Sequence, residues 1–324
     1  MRRTASPLSL ALLGAGTFLL VLAPLLLAHV LPQAKRTPVD IDTTTVFTGT
    51  GSYFDTARLA TVDGERITIT RQVRGDVADS LRSGHAVWDV STSVDTDRTL
   101  PAADVRDSLQ WTLERWVTDR VTNEPVHCCE ESPVFDGEAY LKFPFDVEER
   151  GYRWWDGTLG GVVPLRYEGR TRVQGHEGLR FTGTVAPTRT GVRQVPGRLV
   201  GRPRTPQVLA EEWYANSGIE LVADQRTGRI LYAAIGPRKT LRAPGSDEDA
   251  VVLLAGAKIA FTERTQRQQV ALASADGRKL ALLSGPVPAG AGALGALLAV
   301  AGAVLLVRGR GSGRRDEQGP AVLT

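Results

Sequence analysis

The sequence predicts a mainly β domain, either a β-sandwich or a curved open sheet, flanked by one transmembrane helix at each end. Three observations lead there. Two long apolar runs lie near the chain ends, apolar and polar residues alternate through most of the stretch between them, and Gly, Pro, Asn and Asp interrupt that alternation at short intervals. The 324 residues are 42% hydrophobic and 23% charged, which excludes both a disordered chain and a polytopic membrane protein.

Residues 1–7 form a short head with Arg2 and Arg3. Leu8 to Leu31 follows, 24 residues whose only ionisable group is His29. As a helix it is roughly 36 Å long, enough to cross a ~30 Å hydrocarbon core with some tilt. A cleaved signal peptide has a shorter apolar core and a small-x-small site, and Pro32-Gln33-Ala34 is a poor one, so the expectation is a retained anchor. Val287 to Val307 is the second span, 21 residues and roughly 31 Å. Its Gly and Ala suit close helix approach, but Gly292, Gly295 and Gly302 make no strict G-x-x-x-G, which predicts no specific dimer. Arg2 and Arg3 precede the first span; Arg308, Arg310, Arg314 and Arg315 follow the second. The positive-inside rule then puts both termini in the cytoplasm. Residues 32–286 become an extracytoplasmic domain at the plasma membrane, and 308–324 a cytoplasmic basic tail.

The net charge of +3 is a tail effect. The two ends carry six Arg against Asp316 and Glu317, a net of +4, which leaves about −1 for the domain between the spans (3 minus 4). A near-neutral domain is no general platform for nucleic acid.

From residue 43 to 240 the chain reads as strand after strand. Leu109, Trp111, Leu113 and Val117 share one face of an alternating run, and Gln110, Thr112, Glu114 and Trp116 the other. Arg, Glu and Thr fall too freely on the outward positions for a lipid-facing transmembrane barrel. One pattern echoes: Asp119 is followed by Thr122 and Asn123, and Asp224 by Thr227 and Gly228, 105 residues later (224 minus 119). Each reads as a hairpin turn in which Asp accepts from backbone N–H groups and Asn or Gly takes the left-handed position. The echo reflects two related β units or two ordinary hairpins. Residues 262–283 carry Glu, Gln, Arg, Ala and Leu without Pro and predict a juxtamembrane helix, with Gly285-Pro286 as a break before the second span.

Motifs for catalysis are missing: there is no G-x-S-x-G, H-E-x-x-H, C-x-x-C or phosphate-binding Gly loop, so the expectation is no enzyme and no cofactor. His85, His127 and His176 sit in polar or turn-like contexts and read as surface residues. Cys128-Cys129 reads as a vicinal disulfide, two buried thiols or a bridge to another chain, and a metal site there lacks ligands. The aromatic groups Phe143, Phe145, Trp154 and Trp155 are the candidate ligand-binding residues. On a strand, adjacent Trp154 and Trp155 should face opposite ways, one inward and one outward.

Several segments occur in an order that resembles a known family: Thr48-Gly-Thr-Gly-Ser-Tyr-Phe-Asp55, Ala86-Val-Trp-Asp-Val90, Cys128-Cys129, Tyr140-Leu-Lys-Phe-Pro-Phe-Asp146, Tyr152-Arg-Trp-Trp-Asp156, Glu211-Glu-Trp-Tyr214 and Asp224-Gln-Arg-Thr-Gly228. Together they resemble the actinobacterial two-span envelope family labelled "porin PorA family", from the first span to the second. The resemblance implies a periplasm-facing β domain tied to envelope-lipid trafficking and polar growth beside a lipid exporter. The leading expectation is therefore a non-enzymatic envelope protein that binds a lipid or glycolipid or docks on such an exporter. A structural scaffold and a pore are the alternatives.

Overall fold

The computed structural model describes residues 7–100, 104 and 107–311. Arg2, Arg3 and the basic tail beyond 311 lie outside the described residues, as do the orientation signals they carry. The chain divides into two units: one from the chain ends up to Arg36 and from Asp276 on, the other Thr37–Ala275.

The first unit is helical. Helix α1 (Pro7–Leu25) runs through a π-helical turn, Leu26–Val30, into α2 (Leu31–Ala34). The π turn follows Pro24, whose missing N–H disturbs the helical ladder there. Helix α5 (Pro286–Gly311) is the second apolar helix. The two pack antiparallel, because Ser9 and Leu13 lie beside Gly302, Gly16 beside Gly295 and Ala299, and Ala23 beside Gly292. The contact depends on absent side chains. A Cβ on Gly16 would lie 2.8 Å from both Ala299 Cα and Gly295 O, and one on Gly302 would lie 2.7 Å from Leu13 N. The glycines that spell no dimer motif thus serve an intrachain contact. Phe18, Val21, Leu297 and Val300 point outward.

The second unit contains twelve strands among its described residues, all antiparallel in one sheet. They are β1 (Asp42–Asp55), β2 (Ala60–Gly75), β3 (Ala86–Thr96), β4 (Gln110–Thr118), β5 (Tyr152–Asp156), β6 (Gly161–Val173), β7 (His176–Pro196), β8 (Gln207–Ala223), β9 (Ile230–Ile235), β10 (Pro237–Arg242), β11 (Val251–Gly256) and β12 (Ile259–Phe261). The sheet order is β4-β3-β2-β1-β11-β10-β8-β7-β6-β5. Below β11 and β10, strands β12 and β9 continue the same two ribbons and bridge β1 to β8. Helix α3 (Val77–Ser83) joins β2 to β3, with Asp76 as its N-cap and Gly84 as its left-handed C-cap. Helix α4 (Glu263–Ser284) matches the predicted juxtamembrane helix within one residue at each end, and Gly285 interrupts the helix before α5.

Two runs of four strands, β1–β4 and β5–β8, carry the same turn at the same places. After the first strand of each run, Asp55 accepts from the Ala57 and Arg58 amides, and Asp156 from those of Thr158 and Leu159. After the fourth, Asp119 accepts from Val121 and Thr122, and Asp224 from Thr227. Each loop then closes on a left-handed residue: Leu59, Gly160, Asn123 and Gly228. The sequence echo captured two of these four turns.

The sheet curls until its edges are joined. The irregular segment between β4 and β5 bonds to both of them. Ser132 exchanges backbone hydrogen bonds with Arg115 on the β4 edge, and Ala139 exchanges them with Arg153 and Trp155 on the β5 edge. Tyr214 on β8 donates across the interior to Asp156 at 2.9 Å. The interior is filled with large side chains, including fully buried Trp116, Phe135, Phe143 and Phe181. A second, smaller core of Val195, Val200, Ala210, Leu241 and Val251 supports the far end of the β7–β8 hairpin.

Candidate functional site

The irregular segment brings the candidate aromatic residues into the core. Phe143 stacks on Phe181 at 4.7 Å and meets Tyr152 edge-on at 5.1 Å and Trp154 at 6.0 Å. From there the rings continue without a gap: Trp154 to Tyr140, Tyr140 to Trp116, Trp116 to Trp88, and Phe135 to Trp155. Such offset and edge contacts each add about 0.5–1.5 kcal/mol beyond burial. Trp154 and Trp155 are both buried, at 8% and 5% exposure, so neither faces outward as strand alternation predicts. The reason is coverage of both sides of β5: Trp154 rests on Tyr140 and Phe143, and Trp155 on Phe135. Phe145 stays half-open, with the Lys142 ammonium 3.8 Å above its ring.

Two of the Asp turns place Phe143. Gly228 accepts the Phe143 amide at 2.8 Å, and the Arg226 and Gln225 carbonyls accept Asp146 and Val147. Gly228 must be glycine twice over, because its φ is +69° and a Cβ would strike the Phe143 and Pro144 carbonyls. From the other turn, Asn123 Nδ2 donates to Lys142 O at 3.0 Å. The paired turns therefore grip residues 142–147 between them.

Polar groups line the same interior. Tyr140 donates to Glu114, while Tyr214 donates to Asp156 and receives from Asn216 Nδ2 at 3.1 Å. Burial holds both phenols protonated far above their ordinary value, and the neighbouring carboxylates push the same way. The indole N–H groups of Trp88, Trp116 and Trp155 are buried with no acceptor among the described residues. Sequence reasoning missed them, because an unmet donor depends on what packs around it.

Cys128 and Cys129 are joined to each other by a disulfide. The Cys129 carbonyl accepts from Arg115 Nε at 2.9 Å. The same guanidinium binds Asp89 at 2.8 Å, Asp76 at 2.9 Å and Asp79. One side chain thus ties the disulfide loop, α3 and β3 together.

His176 is no isolated surface residue. Its Nε2 lies 2.8 Å from Asp224 Oδ2, and Ser274 Oγ lies 3.2 Å from its Nδ1. The set has the composition of a hydrolase triad but not its surroundings. Ser274 lies inside α4, where backbone amides are engaged in the helical ladder and cannot serve an oxyanion. Asp224 also holds the Thr227 amide. The arrangement acts as a strap from α4 to the Asp224 turn, reinforced by Arg229 Nη1 donating to Gln269 at 3.4 Å.

The fold and these contacts define a class: a closed, aromatic-filled β body in one chain with two antiparallel apolar helices of membrane-crossing length. The family model for Porin PorA matches residues 8–304, so the chain belongs to the PorA family. No curated protein matches it.

Proposed function

We propose that this PorA-family chain is a non-enzymatic membrane-tethered envelope protein whose extracytoplasmic β body takes up a lipid or glycolipid, or hands one to an envelope lipid exporter. In this reading the helix pair anchors the protein in the plasma membrane with both termini in the cytoplasm. The observation that carries the reading is the trio of buried indole donors, Trp88, Trp116 and Trp155, set among apolar rings. Buried donors normally have partners. A guest with acyl chains and ester or hydroxyl oxygens offers what this interior lacks, acceptors together with apolar surface. Phe143, Phe145, Trp154 and Trp155 are then the ligand contacts, reached when the 125–139 segment leaves the sheet edges.

Organic extraction of the purified full-length protein, followed by mass spectrometry, tests this. A co-purifying lipid near one per chain is expected, reduced in W116F and W155F, which keep a ring and lose the donor. Protein that carries no lipid in its native membrane extract counts against the reading. The family name favours a second reading, a pore. Discrete conductance of the purified protein in planar bilayers would support it. The charged outward positions of β6, Arg166, Glu168 and Arg170, speak against these strands facing lipid.

A further inference from the structure

Residues 193–206 contain Arg193, Arg198, Arg202 and Arg204 and no acidic residue. They form the tip of the β7–β8 hairpin. The far end of β7 begins at His176, which is strapped to α4, so the tip lies roughly 60 Å along the strand from that attachment, at ~3.3 Å per residue. The tip is a fixed loop. Gly197 N donates to Pro206 O, Arg202 N to Gly197 O and Thr205 N to Arg202 O, and Val200 is buried in the smaller core. A Cβ on Gly197 would strike the Arg202 and Thr205 carbonyls. Arg193 is paired with Glu212, and Arg202 donates to the Pro244 carbonyl at 3.2 Å. Arg198 and Arg204 are exposed and have no partner among the described residues. On one face of the same ribbon, Val192 and Leu209 are 51% and 60% exposed. Their registers are two apart, Val192 opposite Glu211 and Gln194 opposite Leu209, so they are diagonal neighbours.

Guanidiniums without carboxylates, beside exposed aliphatic side chains, complement one kind of surface. We propose that this tip docks on a bilayer bearing anionic phosphate headgroups. Arg198, Arg202 and Arg204 meet the phosphates while Val192 and Leu209 enter the boundary between headgroups and acyl chains. The aliphatic pair favours a bilayer over a soluble phosphate polymer, which has no apolar layer to receive it. The docking is independent of what the aromatic interior holds.

Full-length protein held in phosphatidylcholine nanodiscs tests the assignment. The discs are sedimented with vesicles of phosphatidylcholine alone, with vesicles containing phosphatidylglycerol, and with polyphosphate-coated beads. Binding to the phosphatidylglycerol vesicles, weakened by salt, is expected. R198A/R202A/R204A should lower it about a hundredfold, since each arginine near an anionic surface is worth a factor of about five. V192S/L209S should weaken vesicle binding and leave bead binding unchanged. These side chains are exposed, so the melting temperature of both variants should match the parent and separate lost docking from lost folding. Undiminished vesicle binding by the arginine variant overturns the proposal. So does capture by the beads with no binding to vesicles, which would reassign the tip to a soluble phosphate polymer.

Discussion

The helix pair and the β body reach close packing by opposite means. In the pair, contact is made where side chains are missing: Gly16, Gly295 and Gly302 let one backbone touch the other. In the β body, contact is made by the largest side chains in the chain, Trp88, Trp116, Phe143, Trp154 and Phe181, ring against ring. The contrast follows from the solvent each suits. Water rewards burial of a large ring at ~25 cal/mol per Å². Between two helices in lipid that reward vanishes, and only intimate van der Waals contact distinguishes a neighbouring helix from a lipid tail. Removing bulk should therefore damage one unit, and adding it the other.

The largest effect is expected from truncation in the β body. Phe143→Ala removes a fully buried ring that meets Phe181, Tyr152 and Trp154, at a cost of about 3–5 kcal/mol. Denaturant unfolding followed by tryptophan fluorescence measures it. The matched change in the other unit, Leu297→Ala, removes an outward side chain and should leave helix proximity unaltered. A small effect of Phe143→Ala would end the contrast.

Addition of bulk reverses the asymmetry. Gly16→Val forces a side chain against Ala299 and Gly295, at about 1–3 kcal/mol of overpacking. Crosslinking between cysteines placed on α1 and α5 should fall sharply, while the β-body melting transition stays where it was. Loss of both signals would mean that the two units do not respond separately.

Much of this was legible in the sequence, and the failures share a cause. Runs and turns are local, so the two apolar helices, α4 and the Asp119 and Asp224 turns could be read residue by residue. The curl of the sheet could not. It depends on an irregular segment, residues 125–139, whose composition carries no periodicity and whose role is to bond both edges at once. The same segment buries Trp155 under Phe135, which no strand alternation could foretell. His176, Asp224 and Ser274 lie far apart in the chain and meet only through the packing of α4. The arginine tip was hidden by averaging, since a domain of about −1 can still hold four arginines in fourteen residues (193 to 206).

The Asp turns sharpen the comparison at a finer scale, because two of them grip the ring-bearing segment. Asp224→Ala removes the cap on Thr227 and the partner of His176 and should cost about 2 kcal/mol. Asp119→Ala, at the more exposed turn, should cost about 1 kcal/mol. Chemical denaturation of the single variants measures both, and the order of the two values tests whether the turn beneath Phe143 is the more important grip.

The smallest effect is one of pH. At Asp119, burial works against the charge, but the Thr122 and Val121 amides and the Thr122 hydroxyl outweigh it and hold the carboxyl below the usual aspartate range. A carboxyl that is more acidic when folded stabilises the folded state above its unfolded value, about 4, and that contribution disappears as pH falls through the lower folded value. Stability should therefore be flat in this respect near neutrality and decline in acid. Asp119→Asn should start lower at neutral pH and lose less on acidification, so the two unfolding curves converge. Parallel curves from neutral to acid would show that the turn is held by its geometry and not by its charge.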